Sequence, residues 1–145
     1  MSHGPINVKG YTTPREFSGF QIPITLQSAT IRRYCDERGF VFNHHVAENI
    51  SPGTYLVLER VIAEANLFQA LAMCSVSMLP SESQRRTVLL EHCVSRGLTV
   101  HFLFESLIVT GREDIAIVNQ FVSLTSLLNN GFDRVSQIRE LINLK

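Results

Sequence analysis

Two carboxylates follow apolar, strand-like runs of the sequence and are the side chains best placed for acid-base chemistry. Glu105 comes directly after the run 98–104, and Glu48 comes just after the run 40–46. A carboxylate at the end of an apolar strand is partly shielded from water, which suits it to general acid or base catalysis. Glu105 is therefore the first candidate for proton transfer and Glu48 the second. Glu105 could instead cap the next turn or pair with Arg112, and Glu48 could simply be solvated.

Several hydroxyls and one arginine are expected at the same edge of the sheet, because the carboxyl ends of parallel strands meet there. The arginine can place its planar fork on a phosphate or a carboxylate. Helices that start near residues 26, 52 and 82 can add backbone N–H donors for an anion. A sugar phosphate or a nucleotide sugar suits such a rim. The expected substrate-binding residues are Thr12, Thr13, Arg15, Ser75 and Ser77.

The histidine and cysteine spacings do not favour a metal site. His44 and His45 are adjacent in a predicted strand, so their side chains point to opposite faces. The three cysteines lie far apart and form neither CxxC pairs nor mixed Cys/His spacings, which favours buried free thiols over a disulfide frame or a zinc site. We therefore expect no metal and no cofactor. The three cysteines are Cys35, Cys74 and Cys93.

Four other polar residues have ordinary structural interpretations. His101 stands alone in an apolar strand, which is typical of a hydrogen-bonded core histidine. Ser77 has no acid and histidine partners at a recognisable spacing, so it is a weak candidate for a nucleophile. Arg85 and Arg86 are expected on the solvated side of a helix, with phosphate binding as the lesser alternative.

The periodicity of the apolar residues predicts an α/β fold. The order is β-α-β-α-β-α-β, then a short strand or edge, then two C-terminal helices. Short connections of this kind imply right-handed crossovers and a three-layer sandwich around a mostly parallel sheet of four to five strands. The predicted strands are 6–12, 40–46, the centre of 69–80, 98–104 and 106–110. The first predicted helix covers 26–38. The other four begin at Ser51-Pro52, at a capping box at 81–84, at 111–114 and after Asp133.

Composition bounds the class of protein. The 145 residues carry 13 basic and 13 acidic side chains, and 45% of them are hydrophobic. A balanced surface gives no electrostatic reason to expect nucleic acid or an anionic membrane as a partner. No apolar run approaches the ~20 residues of a membrane span. We expect one cytoplasmic α/β domain over 1–145, with a flexible segment at 1–5.

The predicted C-terminal helices carry more apolar surface than one face of a sheet needs. Ile117, Phe121, Leu124 and Leu128 recur at helical spacing on one side. The tripeptide Asn129-Asn130-Gly131 is expected to end the first helix. An apolar face without a partner is typical of an interface, so we expect a homodimer through these helices, with 132–145 as a possible contact.

Several motifs follow one another at a characteristic spacing: Gly10-Tyr11, Gln27, the run 34–39, the run 96–102 and Glu105. Their spacing resembles that in the catalytic domain of serine recombinases, the resolvases and invertases. This resemblance implies a resolvase-like sheet, a variant of the flavodoxin-like arrangement. The family places an arginine and then its nucleophilic serine just after the first-strand tyrosine, where this chain has Thr12-Thr13-Pro14-Arg15. Its Asp-Arg-x-x-Arg cluster is also absent near 77–80. A functional recombinase is therefore not expected.

A second group of motifs extends over most of the chain. Its residues are Arg15, Phe17, Gly19, Ile22-Pro23, Gln27, Ile31-Arg32, Tyr34-Cys35, Met78-Leu79-Pro80, Glu105, Leu107 and Val109. These motifs resemble those of the bacterial sporadic carbohydrate cluster proteins, and the resemblance implies a role in assembling surface polysaccharide or lipopolysaccharide. The expected function is an isomerase, epimerase, lyase or transferase that acts on a phosphorylated or nucleotide-linked sugar. The alternative is a catalytically inactive, dimeric interaction or regulatory module.

Overall fold

The computed structural model describes residues 4–17 and 19–143, with side chains up to Leu127 except that of Ala65. The strands are β1 (Asn7–Thr12), β2 (Val41–Ala47), β3 (Ala70–Met73), β4 (Thr99–Phe102) and β5 (Leu107–Val109). The helices are α1 (Ile24–Arg38), α2 (Leu56–Ala63), α3 (Ser83–Ser95) and α4 (Arg112–Asn143). Short 3-10 turns cover Ala65–Leu67 and Val76–Met78. In this part of the chain, no helix is both long and apolar enough to span a membrane.

The strands form one five-stranded sheet in the order β2-β1-β3-β4-β5. The first four strands are parallel, and β5 runs antiparallel to β4. This confirms the predicted α/β class and the mostly parallel sheet. The edge strand β2 is largely exposed and shifts its register against β1 at Asn43, so that Val8 faces Phe42 but Lys9 faces His44.

The sheet is covered on both faces, which gives the predicted three layers. Along β3, Leu71 and Met73 belong to the core shared with α2, α3 and α4. The alternate residues Ala70 and Ala72 belong to a smaller core beneath α1. Since side chains alternate across a strand, the large residues face three helices and the small ones allow a single helix to pack closely.

Two predicted boundaries near the carboxyl edge of the sheet are wrong. Helix α2 begins at Leu56, and not at Ser51-Pro52. Gly53 has a φ of 75° and the N–H of Thr54 bonds to the carbonyl of Ser51, so a turn occupies the predicted first helical turn. In addition, β3 ends at Met73, so Ser75 and Ser77 follow the strand and do not lie in it.

The two predicted C-terminal helices form a single helix, α4, of 32 residues. The tripeptide at 129–131 does not end it, because a glycine inside a helix costs only about 1 kcal/mol. The two asparagines keep the backbone N–H that a helix needs and that a proline lacks. The side chains of 128–143 and the whole of 144–145 lie outside the described structure, and so does the expected dimer contact at 132–145. Most of the expected flexible segment at 1–5 lies outside it as well.

Candidate functional site

Glu105 lies beside the turn that follows β3. Its Oε2 accepts a hydrogen bond of 2.7 Å from the hydroxyl of Ser75, and its Oε1 accepts one of 2.9 Å from the N–H of Val76. The Ser75 hydroxyl also lies 2.7 Å from that of Ser77. Because Ser75 donates to the carboxylate, Ser77 is the donor in the bond between the two serines. The three side chains form one chain of hydrogen bonds, from Glu105 through Ser75 to Ser77. Ser77, the last residue of this chain of bonds, is exposed.

The backbone explains why residues so far apart in sequence meet. Parallel pairing continues past the ends of β3 and β4, since the N–H of Leu103 bonds to Met73 and that of Phe104 to Cys74. Residue 105 is thereby carried to the level of residue 75. The next residue, Ser106, has a φ of 54°, which turns the chain sharply into β5. Ser75 itself caps the 3-10 turn by accepting from the N–H of Ser77.

A cavity of about 510 Å³ opens between this turn and α4. Ser75, Ser77 and Glu105 lie on its wall, together with Arg86. The apolar part of the lining includes Leu79, Pro80 and Val122, and further hydroxyls come from Ser81, Thr125 and Ser126. The lining therefore combines one acid, one base and several hydroxyls with an apolar surface, as small-molecule sites usually do.

Arg86 is buried, with 3% of its surface exposed, so the prediction of a solvated position is wrong. Its Nε donates to Asn119 at 2.9 Å, and its Nη1 donates to the carbonyls of Pro80 and Ser81, both at 3.1 Å. Burial lowers the pKa of its guanidinium. A signal was present in the sequence, because Arg86 lies three and four residues before the core residues Leu89 and Leu90, on the inner face of α3.

The loop after β1 is held by α1. Gln27 is fully buried, accepts from the N–H of Thr13 at 3.1 Å, and donates to the carbonyls of Thr13 and Ile22 at 2.7 and 2.8 Å. Phe17 from this loop stacks on Phe104, beside Glu105, with ring centroids 6.4 Å apart. The loop therefore reaches the end of β4 through an aromatic contact.

Arg15 and the two threonines do not line the cavity beside Glu105. The Nη1 of Arg15 donates to the carbonyl of Ser51 at 3.0 Å, and its guanidinium lies 4.7 Å from the centre of the Tyr55 ring. Thr13 accepts from the N–H of Arg15, and the buried Thr12 donates to the carbonyl of Val46. Their predicted contact with substrate stays a prediction.

Glu48 is 4% exposed and accepts four hydrogen bonds. The donors are the Tyr11 hydroxyl at 2.8 Å and the N–H groups of Asn49, Val57 and Leu58 at 3.0 to 3.2 Å. Two of these belong to the start of α2, so Glu48 joins β1 to that helix. Burial and the bond to Glu48 raise the pKa of Tyr11. These contacts account for the burial of Glu48, and a role in proton transfer stays a prediction.

His101 is the hydrogen-bonded core histidine that the sequence predicts. Its Nδ1 lies 2.7 Å from the Tyr34 hydroxyl and its Nε2 lies 3.1 Å from the Thr99 hydroxyl. The ring also contacts Phe40 edge to face. Burial, with a smaller contribution from the charge of Arg38, lowers the pKa of His101. The three cysteines are buried free thiols.

The predicted site thus separates into two groups. Glu105, Ser75 and Ser77 share one cavity, whereas Arg15 and Glu48 lie around the loop after β1 and the start of α2. Among the described side chains, which end at Leu127, no three from histidine, cysteine or acidic residues lie together as metal ligands would.

Comparison with solved structures identifies the fold. The N-terminal catalytic domain of TP901-1 integrase matches with a TM-score of 0.59 at 16% identity, over 88% of this chain and 98% of that one. A resolvase family site-specific recombinase from Streptococcus pneumoniae matches with a TM-score of 0.55 at 10% identity, over 94% and 97%. The C-terminal catalytic domain of ISC1926 TnpA, an IS607-like serine recombinase, matches with a TM-score of 0.56 at 13% identity. The match covers 95% of this chain and 99% of that one. The fold is resolvase-like.

At such low identity the likeness extends to the fold alone. No protein-family model matches the sequence, and no curated protein matches it. The resemblance in strand order to serine recombinases is confirmed as a resemblance in fold.

Proposed function

We propose that the cavity beside Glu105 is the active site of an enzyme that transfers protons to and from a small hydroxylated substrate. The supporting observation is the chain of two 2.7 Å bonds that leads from the exposed Ser77 hydroxyl through Ser75 to the Glu105 carboxylate. A substrate hydroxyl can donate its proton to Ser77, while Ser77 passes its own proton to Ser75 and Ser75 passes one to Glu105. Glu105 is then the base, and the reverse sequence makes it the acid.

The substrate proposed is a phosphorylated or nucleotide-linked sugar of bacterial surface-carbohydrate assembly. The class of pathway rests on the sequence resemblance to sporadic carbohydrate cluster proteins. The cavity of about 510 Å³ has the size of a typical small-molecule site. Its hydroxyls match those of a sugar. Arg15, Thr12 and Thr13 lie away from this cavity, so the principal roles go to Glu105, Ser75 and Ser77.

A thermal-shift screen against sugar phosphates, nucleotide sugars and free nucleotides is the first test. A ligand at a hundred times its Kd stabilises the folded state by about 2.7 kcal/mol, which is readily detected. The bound compound is then incubated with the protein in D2O, and NMR follows the deuterium that turnover places on the carbon atoms of the sugar, because hydroxyl protons exchange with D2O without a catalyst. We expect Glu105→Gln to abolish the incorporation. Glu113→Gln, an exposed carboxylate of α4, is the matched control.

Two results would contradict the proposal. One is a screen in which no sugar compound stabilises the protein. The other is deuterium incorporation by Glu105→Gln at the rate of the unaltered protein. A loss of incorporation in the Glu113→Gln control would show that the readout follows the overall charge and not the site.

Helix α4 favours the second candidate, an inactive dimeric module. Ile117, Phe121, Leu124 and Leu127 are 38 to 67% exposed along it, whereas Val118 is buried against the core. Apolar residues in such a row are typical of an interface. Leu124→Glu should shift a dimer to monomer in analytical ultracentrifugation and leave the melting temperature of the monomer unchanged. Ala29→Glu adds the same charge to the exposed side of α1, away from this row, and is the control.

DNA strand transfer is not proposed. Arg15 stands about where the recombinase pattern has its nucleophilic serine, and the balanced charge of the chain gives no electrostatic reason to expect binding to a phosphate backbone. Binding to duplex DNA that weakens steeply with salt would contradict this exclusion.

A further inference from the structure

The charge of Arg86 is not balanced by an acid among the described residues. The ion pairs of this part of the chain are formed by Arg33, Arg38 and Arg85 on the surface. Arg86 instead contacts an amide oxygen and two backbone carbonyls. A buried cation without a counter-ion is unfavourable, because neutral oxygens replace only part of its hydration.

The guanidinium also keeps unused donors. An arginine has five N–H groups, one on Nε and two on each terminal nitrogen. The bond to Asn119 uses the Nε group, and the carbonyls of Pro80 and Ser81 use those of Nη1. Both N–H groups of Nη2 therefore have no acceptor among the described residues.

Nη2 is nevertheless within reach of solvent. Among the described side chains, no nitrogen or oxygen is both fully buried and without a hydrogen-bond partner. Nη2 must therefore touch solvent, and Arg86 is a wall residue of the cavity that contains Glu105. The small exposed part of this side chain is the part that a cavity ligand would meet.

We infer that Arg86 binds the phosphate of the substrate through Nη2 and makes this cavity a site for phosphate monoesters. The inference rests on the proposed function and deepens it, since it names the group that recognises the anion and moves that role from Arg15 to Arg86. The two N–H groups of Nη2 can each donate a charge-assisted hydrogen bond to a phosphate oxygen. The hydroxyls of Ser81 and Ser126 on the same wall can donate to the remaining oxygens.

The two opposite charges on the wall also orient the substrate. Glu105 and Arg86 do not form an ion pair, so they occupy separate positions. An anion is attracted to Arg86 and repelled by Glu105. The phosphate therefore lies beside the start of α3, and the hydroxyl-bearing part of the sugar lies beside Ser77, where the proton relay ends.

Inorganic phosphate is the probe for the test. It is titrated into the ¹⁵N-labelled protein against sodium acetate at matched ionic strength, and amide shifts are recorded. We expect phosphate, and not acetate, to shift amides of 75–81 and 122–126. Arg86→Gln should weaken phosphate binding about tenfold or more, because a charge-assisted hydrogen bond is lost. Arg85→Gln, which removes the neighbouring and more exposed arginine, should leave the affinity within about twofold.

The amide shifts of the unaltered protein test the inference even if Arg86→Gln does not fold. Shifts centred on 12–15 and 51–55 would overturn the inference in favour of Arg15. Equal shifts with acetate would overturn the assignment to phosphate, and equal affinity in a folded Arg86→Gln variant would overturn the role of Arg86.

Glu105→Gln separates this inference from the proposed function. Phosphate binding should be retained or strengthened in that variant, because a like charge is removed, while deuterium incorporation into the sugar is lost. If incorporation persists, the proposed function fails and the phosphate site stands. If incorporation is lost while Arg86 proves irrelevant to phosphate, the function stands and this inference fails.

Discussion

Replacing Glu48 with glutamine should destabilise the fold, because the carboxylate is an acceptor for four donors. The new amide must place its NH₂ group where one oxygen was. The better position is that of Oε2, since the Tyr11 hydroxyl can turn to accept from it. The N–H of Leu58 then loses its acceptor. Asn49 and Val57 keep an acceptor but lose its charge.

The magnitude follows from these bonds. An unsatisfied buried donor costs about 1–3 kcal/mol, and a hydrogen bond to a charged group is worth about 1 kcal/mol more than a neutral one. A neutral amide costs less to bury than a carboxylate, and this difference offsets part of the loss. We expect a net destabilisation of about 2 kcal/mol for Glu48→Gln, or a fall in Tm of ~6 °C at this chain length.

Urea unfolding followed by far-UV circular dichroism is the assay, since the chain has no tryptophan. Tyr11→Phe is the companion variant. It removes one donor to a charged group and keeps the carboxylate, so it should cost about 2 kcal/mol. A Glu48→Gln protein with unchanged stability would refute this account of the network. Lost turnover at unchanged stability would place Glu48 in the chemistry instead.

Two further outcomes are expected. Since burial lowers the pKa of His101 below its unfolded value of about 6.5, its contribution to stability is complete above that pH and is lost as the pH falls below it. His101→Gln should therefore flatten the change in urea midpoint between pH 7.5 and 5, and an unchanged slope would contradict this. Gly10→Ala should cost about 1–3 kcal/mol, because the new Cβ would lie 2.9 Å from the Phe42 ring. Gly4→Ala, which meets no atom within 4 Å, is the control in the same unfolding assay, and equal costs would refute the steric argument.

The fold could be predicted from the sequence because its main signals are periodic. The uncharged run around Leu71 and Met73 indicates a strand buried on both faces, and such a strand belongs in a parallel sheet. The fold predictions that are wrong rest on local signals that depend on context. Ser51-Pro52 resembles a helix start, but the positive φ of Gly53 places a turn there.

The candidate site could be predicted only in part. Strand order indicates which loops meet at the carboxyl edge, so Ser75 and Glu105 were found together. The sequence does not indicate which way each loop turns after its strand, and Arg15 turns toward Tyr55. Arg86 was missed because an arginine at the start of a helix is usually solvated, although its spacing to the core residues of α3 was available.

The edge strand β2 bears on solubility as well as on architecture. An open strand edge exposes unpaired backbone groups that a second chain can pair with, and charged or polar residues and bulges are the usual protection. The register shift at Asn43 and the polar pair His44 and His45 lie in this strand. At the other edge, β5 is only three residues long and offers few groups for pairing. The polar histidines and the register shift of β2, like the short length of β5, therefore disfavour pairing between the sheets of neighbouring molecules.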